Sequence, residues 1–184
     1  EIKSLTAGLS VSEQIKPTDI QEIKDAGFRA IICNRPDGEG VDQPTFEEIA
    51  KAAKKLGIKT SYLPIVSGKV SDDDAAALER ELTKLPGPIL AFCRTGTRSA
   101  TLWSLAQVKH RSVADILAAT KAAGYDMGVV MRRIVNGDKT LTAGIKQFAD
   151  IGGAHGQGRY RAKAHIFYRR PIDTEFPARR TAGC

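Results

Sequence analysis

Two rhythms of apolar and polar positions run through the first 125 residues, short continuous apolar runs and longer stretches with helical spacing, and turn-forming residues separate them. FRAIICN and PILAF are apolar runs too short for helices and are expected as buried strands; KTSYLPIV supplies another, and residues 4–9 open the sheet. Between them, Thr18 with Gln21 three positions later predicts a helix start that Gly27 closes. Thr45 with Glu48 predicts a second, FEEIAKAAKKL, stopped by Gly57. Ser71 with Asp74 opens DDDAAALERELTKL, and Ser112 with Asp115 opens a helix that ends at Gly124. Strands alternating with helices predict an α/β fold in three layers, with a small, mostly parallel central sheet of about four to five strands.

The pattern fades after residue 135, which divides the chain into a catalytic domain over 1–135 and a basic C-terminal extension over 136–184. From Ile151 onward seven basic residues face only Asp173 and Glu175, so this end carries five of the net charge of +7. It mixes Gly, Arg and Pro with isolated aromatics and predicts at most one short strand, around His165 to Tyr168; the rest is expected to be poorly ordered or docked on the domain. Tyr160, Phe167 and Tyr168 among arginines fit nucleic acid only weakly, because no recognised binding module accompanies the charge. Three cysteines, Cys33, Cys93 and Cys184, are widely spaced and predict free thiols in a reducing compartment. His110, His155 and His165 lack metal-ligand spacing, and neither a metal nor another cofactor is expected. No apolar run reaches the roughly 18 residues of a membrane span, and EIKSLTAGLS has no signal-peptide core, so a cytoplasmic location is expected.

Candidate chemistry concentrates in PILAFCRTGTRSATLWSLAQ, residues 88–107, where an apolar strand ends in Cys93, a tight polar loop follows and a helix is expected from Ser99. The amides of Arg94, Thr95, Gly96, Thr97, Arg98 and Ser99 can curl around one point. Gly96 permits the sharp turn, and the helix N-terminus adds partial positive charge. Such a cradle favours the thiolate form of Cys93, and Arg94 and Arg98 add forked donors for an oxyanion. A plain buried thiol needs none of these. Ser99 is expected as the helix N-cap, as a donor to the thiolate, or as both.

In a parallel sheet the ligand crevice lies beyond the carboxyl ends of the strands. The NRPDGE turn and the SGKVSDDD loop then converge on Cys93, which brings Arg35, Asp37, Glu39 and the run Asp72 to Asp74 toward the thiolate. Each has a plainer alternative: Arg35, Asp37 and Glu39 as turn organisers, Asp72 to Asp74 as acids in a helix first turn. Cys33, inside a strand, reads as a structural thiol rather than a resolving one.

NRPDGE, AAKKLGIKTSYLPI, GPILAFCRTGTRSATLW and AAGYD together resemble the beta-lactamase-hydrolase-like, phosphatase-like domain family over about residues 3–127. The resemblance implies a protein-tyrosine-phosphatase-like fold of the dual-specificity kind, with Cys93 as nucleophile and Arg98 as the anion-binding arginine. It also implies that family members occur alone or fused to metallo-hydrolase or sulfide-metabolising enzymes, so a sulfide-oxidising enzyme is the expected partner. Cys93 and Arg98 have four residues between them, one fewer than in true phosphatases of that fold, which resembles rhodanese-type loops. A smaller ring suits one sulfur atom better than a phosphoryl group, and no aspartate stands out as general acid for an alkoxide leaving group. The leading expectation is therefore a sulfurtransferase that takes sulfane sulfur from a persulfide or thiosulfate onto Cys93 and passes it to a thiol. Hydrolysis of a phosphate ester through a Cys93 phosphocysteine is the alternative. A non-catalytic anion-binding or partner-docking module is a further one.

Overall fold

The computed structural model describes residues 1–135. Five strands form one sheet: β1 (Ile2–Thr6), β2 (Leu9–Ser12), β3 (Ala30–Cys33), β4 (Lys59–Tyr62) and β5 (Ile89–Phe92). Their order is β1-β2-β5-β3-β4; β1 pairs antiparallel with β2, and every other neighbour is parallel. Six helices accompany them: α1 (Ile20–Asp25), α2 (Phe46–Lys55), α3 (Asp72–Lys84), α4 (Thr97–Ala106), α5 (Val113–Ala122) and α6 (Gly128–Val135).

Strand alternation divides the core into two layers of apolar contact. Ile31, Cys33, Leu90 and Phe92 face one side and pack on Ile20 and Ile23 of α1 and Ile49 and Ala53 of α2. Val11, Ile32 and Ala91 face the other side and pack on Leu78, Leu102, Trp103 and Ile116 from α3, α4 and α5. Three layers result, as the sequence pattern implies. All four residues of β2, β3 and β5 are buried, which explains why these strands read as unbroken apolar or small-residue runs.

Several boundaries differ from the sequence expectation. The first strand is a hairpin: Thr6 Oγ1 accepts from the amides of Gly8 and Leu9 and breaks the run into β1 and β2. Thr18 does not cap α1. Pro17 opens a 3-10 turn there, and Asp19 reaches back to accept from the Lys16 amide at 2.7 Å. The boxes at Thr45 and Glu48, and at Ser71 and Asp74, form as expected, and Ser112 caps α5. Helix α6 was not apparent in the periodicity. The expected extension over 136–184, its strand near His165 and Cys184 lie outside the described residues. Among the described residues no helix is long and apolar enough to cross a membrane.

Register fixes what the sheet presents. Phe92 lies level with Ser12 of β2 and Cys33 of β3, and Cys33 lies level with Tyr62 of β4, so the loops leaving these residues emerge at one edge. The β5 loop is in the middle. Replacing Phe92, 1% exposed, with Ala is expected to cost about 3–5 kcal/mol, read as a lower urea midpoint at an unchanged slope. A loss under about 1 kcal/mol would mean that the layer under β5 is not packed against α1 and α2.

Candidate active site

Cys93 follows β5 directly, is 1% exposed, and donates its backbone N–H to Ser12 O at 3.4 Å. The chain turns back at once. Gly96, at φ +86°, brings its own N–H to the Cys93 sulfur at 3.1 Å and stands at the N-cap of α4. That left-handed conformation favours glycine, and a Cβ there would collide with the Tyr125 hydroxyl. Tyr125 closes the outside of the turn, and its hydroxyl donates to Thr95 O at 3.4 Å. Burial, more than any other cause, holds the Tyr125 phenol above its ordinary value.

Helix α4 starts two residues earlier than the sequence reading places it, so Ser99 is not its N-cap. Ser99 lies buried inside the first turn and donates its hydroxyl to Asn34 Oδ1 at 2.8 Å rather than to the sulfur. Asn34, fully buried, also donates to Leu63 O at 3.1 Å and through its backbone to Phe92 O at 2.8 Å. It thereby ties the β3, β4 and β5 loops together. Sequence reasoning passed over Asn34, although an amide directly after a buried strand was a signal that a polar knot forms there.

Arg98 is the most constrained charge in the site. Nη1 donates to Glu39 Oε1 at 2.8 Å and to Ile65 O at 2.6 Å, while Nη2 donates to Glu39 Oε2 at 2.8 Å. Three of the five guanidinium donors are thus committed. The Nε–H and the second Nη2 hydrogen, which share one edge, remain for a bound group. Hydrogen bonding to Glu39, more than any other cause, raises the guanidinium pKa above its ordinary value and holds it charged. Glu39 is shared: Arg35 Nε donates to its Oε2 at 3.1 Å, and Arg35 Nη1 donates to Gln14 Oε1 at 3.0 Å. Arg98 and then Arg35 hold the Glu39 carboxyl below the usual carboxylate range.

A cavity of about 560 Å³ opens over this arrangement. Arg35, Glu39, Arg94, Thr95, Thr97 and Arg98 form its polar side; Val70, Met127, Val129 and Val130 form an apolar wall, with Asp126 beside them. Cys93 lies beneath the loop residues that line it.

The remaining expected residues divide. Arg35 and Glu39 reach the site. Asp37 does not: it organises the turn, accepting at Oδ1 from the Phe46 amide at 2.8 Å, while its own amide donates to the Tyr62 hydroxyl. Asp72 is exposed at the start of α3 and is absent from the cavity wall, and Asp74 is occupied in the Ser71 cap. An acidic first turn is what a helix N-terminus favours, and that outweighed a site-facing role. Cys33 is structural; its thiol donates to Arg35 O at 3.3 Å, and burial pushes its pKa up to about 12.

A cysteine at the end of a buried central strand and an arginine in the first turn of the helix that follows, within a three-layer α/β arrangement, define the protein-tyrosine-phosphatase-like fold. The chain belongs to the family described as beta-lactamase hydrolase-like protein, phosphatase-like domain, which matches residues 1–110. It is 28% identical over 130 residues to a beta-lactamase hydrolase-like protein of Xylella fastidiosa (strain Temecula1 / ATCC 700964), covering 70% of this chain and 30% of that protein. The chain therefore spans less than a third of the length of that curated relative. A solved candidate phosphatase from Neisseria meningitidis is 30% identical, with a TM-score of 0.67 over 73% of this chain and 96% of that one. The active form of Tk-PTP, 17% identical, shares the fold with a TM-score of 0.57 over 73% of this chain and 94% of its own. These likenesses favour the phosphatase alternative over the sulfur transfer with which the sequence reading led.

Glu39 titrates in an interpretable direction. Its folded pKa is depressed, so the stability it contributes is fully present above the unfolded value, about 4.3, and is lost as pH falls through the folded one. Glu39→Gln is expected to destabilise the protein at neutral pH by roughly 1–3 kcal/mol, since hydrogen bonds to charged groups are lost. The gap from wild type should close in strong acid. An equal gap at neutral and strongly acidic pH, measured by denaturant unfolding, contradicts the clamp.

Proposed function

We propose that this domain hydrolyses phosphate monoesters through a phosphocysteine at Cys93. The observation that carries this reading is the Arg98 guanidinium, fixed by Glu39 on the wall of the cavity that the Cys93 loop lines, with Nε–H and one Nη2 hydrogen uncommitted. A phosphoryl group carries charge over three oxygens, and an arginine held in place before substrate arrives is the donor that such charge requires. The thiolate sulfur attacks phosphorus, an S–P bond forms, and the ester P–O bond breaks with its electron pair on the leaving oxygen. Water then attacks the phosphocysteine, the S–P bond returns its pair to sulfur, and inorganic phosphate leaves. Loop amides and the Nε and Nη2 donors of Arg98 hold the equatorial oxygens through both steps. Arg94, exposed at the rim, and Arg35 add positive potential that draws the dianion in. The apolar wall of Val70, Met127, Val129 and Val130 suits an ester whose alcohol portion is apolar.

Sulfur transfer is kept as a second reading on one observation, the four residues between Cys93 and Arg98, which close a tight ring of amides. In that reading Cys93 takes a sulfane sulfur from a persulfide or thiosulfate and yields it to a thiol, with a sulfide-oxidising enzyme as partner.

The test compares wild type with Cys93→Ser and Arg98→Ala on p-nitrophenyl phosphate, and in parallel on glutathione persulfide. Turnover of the ester is expected to vanish with Cys93→Ser and to fall by about 100-fold or more with Arg98→Ala. Ester cleavage that persists in Cys93→Ser, or a wild type that only accepts sulfur, contradicts the phosphatase reading.

A further inference from the structure

Phosphoryl transfer to Cys93 leaves one requirement unmet by the loop itself. An alkoxide or phenoxide departs slowly unless a proton reaches it, so a proton donor belongs on the cavity wall where the leaving oxygen emerges. Most acidic groups near the loop are committed elsewhere. Glu39 is bound by two arginines and held in its charged form. Asp37 accepts from the Phe46 amide, and Asp74 accepts from the amide and hydroxyl of Ser71. Neither they nor Asp72 and Asp73 line the cavity.

Asp126 is different. It directly precedes Met127 and α6 and lines the same cavity as the loop cations Arg94 and Arg98. Its Oδ1 accepts from the Gly128 amide at 2.9 Å, which fixes the carboxyl against the start of α6, and no described hydrogen bond or ion pair engages Oδ2. The neighbouring Tyr125 is itself anchored over Thr95 and Gly96, so the segment carrying Asp126 is registered against the Cys93 loop. One oxygen holds the group in place on the cavity wall, and the other has no described partner.

We propose that Asp126 is the catalytic proton donor to the leaving group, a role that rests on the phosphatase reading given above. As sulfur attacks phosphorus and the P–O bond breaks, the carboxyl proton of Asp126 passes to the departing oxygen, which leaves as a neutral alcohol. The resulting carboxylate then takes a proton from the water that attacks the phosphocysteine. Asp126 is thus protonated again when phosphate departs, and no other proton carrier is required. The donor comes from the segment joining α5 to α6 rather than from the acidic run that opens α3.

Asp126→Asn separates this role from a structural one, because the amide oxygen still accepts from the Gly128 N–H. The readout is kcat/KM, which reports on steps through the first phosphoryl transfer, for p-nitrophenyl phosphate and for phenyl phosphate, whose leaving group is much poorer. With the thermal midpoint unchanged, kcat/KM for phenyl phosphate is expected to fall by about 100-fold or more, and for p-nitrophenyl phosphate by only a few-fold. Equal losses on both esters, or none on either, overturn the assignment to Asp126 while leaving the phosphatase reading intact. A wild type that cleaves neither ester removes that reading, and this role with it.

Discussion

Two guanidinium groups meet on one carboxylate, and the geometry of the site follows from that meeting. Glu39 arrives on the turn after β3, Arg98 on the first turn of α4 and Arg35 from the end of β3, so the ion cluster spans segments that the chain places far apart. Both arginine side chains are only 10% exposed, which would make them costly if unpaired. Pairing them with Glu39 removes that cost and sets the direction in which Arg98 presents its remaining donors. An arginine free to rotate would supply the same charge without a fixed set of donors on the cavity wall. Preorganisation of this kind is worth more than the charge alone, since reorientation during reaction is avoided.

The sheet makes the cluster attainable. With β5 flanked by β2 and β3 in level register, the Cys93 loop leaves the centre of the carboxyl edge and the loops on either side reach it from both directions. Gln14, after β2, positions Arg35; Asn34, after β3, holds Ser99; Ile65, after β4, accepts from Arg98. Each of these strands thus sends at least one polar contact into the site. Val129 and Val130 of α6, with Met127 and Val70, give the cavity its apolar lining.

The parts that could be read from sequence were those encoded locally. Buried strands, the caps at Thr45, Ser71 and Ser112, and the strand, loop and helix around Cys93 depend on residues within a few positions of one another. The parts that were missed depend on long-range register. Nothing near Glu39 marks it as the partner of Arg98, 59 positions away, and Asp37 two residues earlier looked equally suitable. Asp126 was not singled out, because α6 lacks a visible signal, and the acidic run Asp72 to Asp74, which does not line the cavity, was the more conspicuous feature. Ser99 misled for a local reason: glycine in a left-handed conformation served as the N-cap, so the helix starts two residues earlier. The preference for sulfur chemistry came from loop spacing and from the lack of an evident general acid, neither of which carries information about how Glu39 fixes Arg98.

The most direct measurement is the intact mass of the protein quenched in acid within milliseconds of mixing with an aryl phosphate, followed by peptide mapping. Expected is a transient adduct of one phosphoryl group on Cys93, absent in Cys93→Ser and decaying as inorganic phosphate appears. Ester cleavage without any such adduct, or a phosphoryl group mapped to another residue, would contradict nucleophilic catalysis by Cys93.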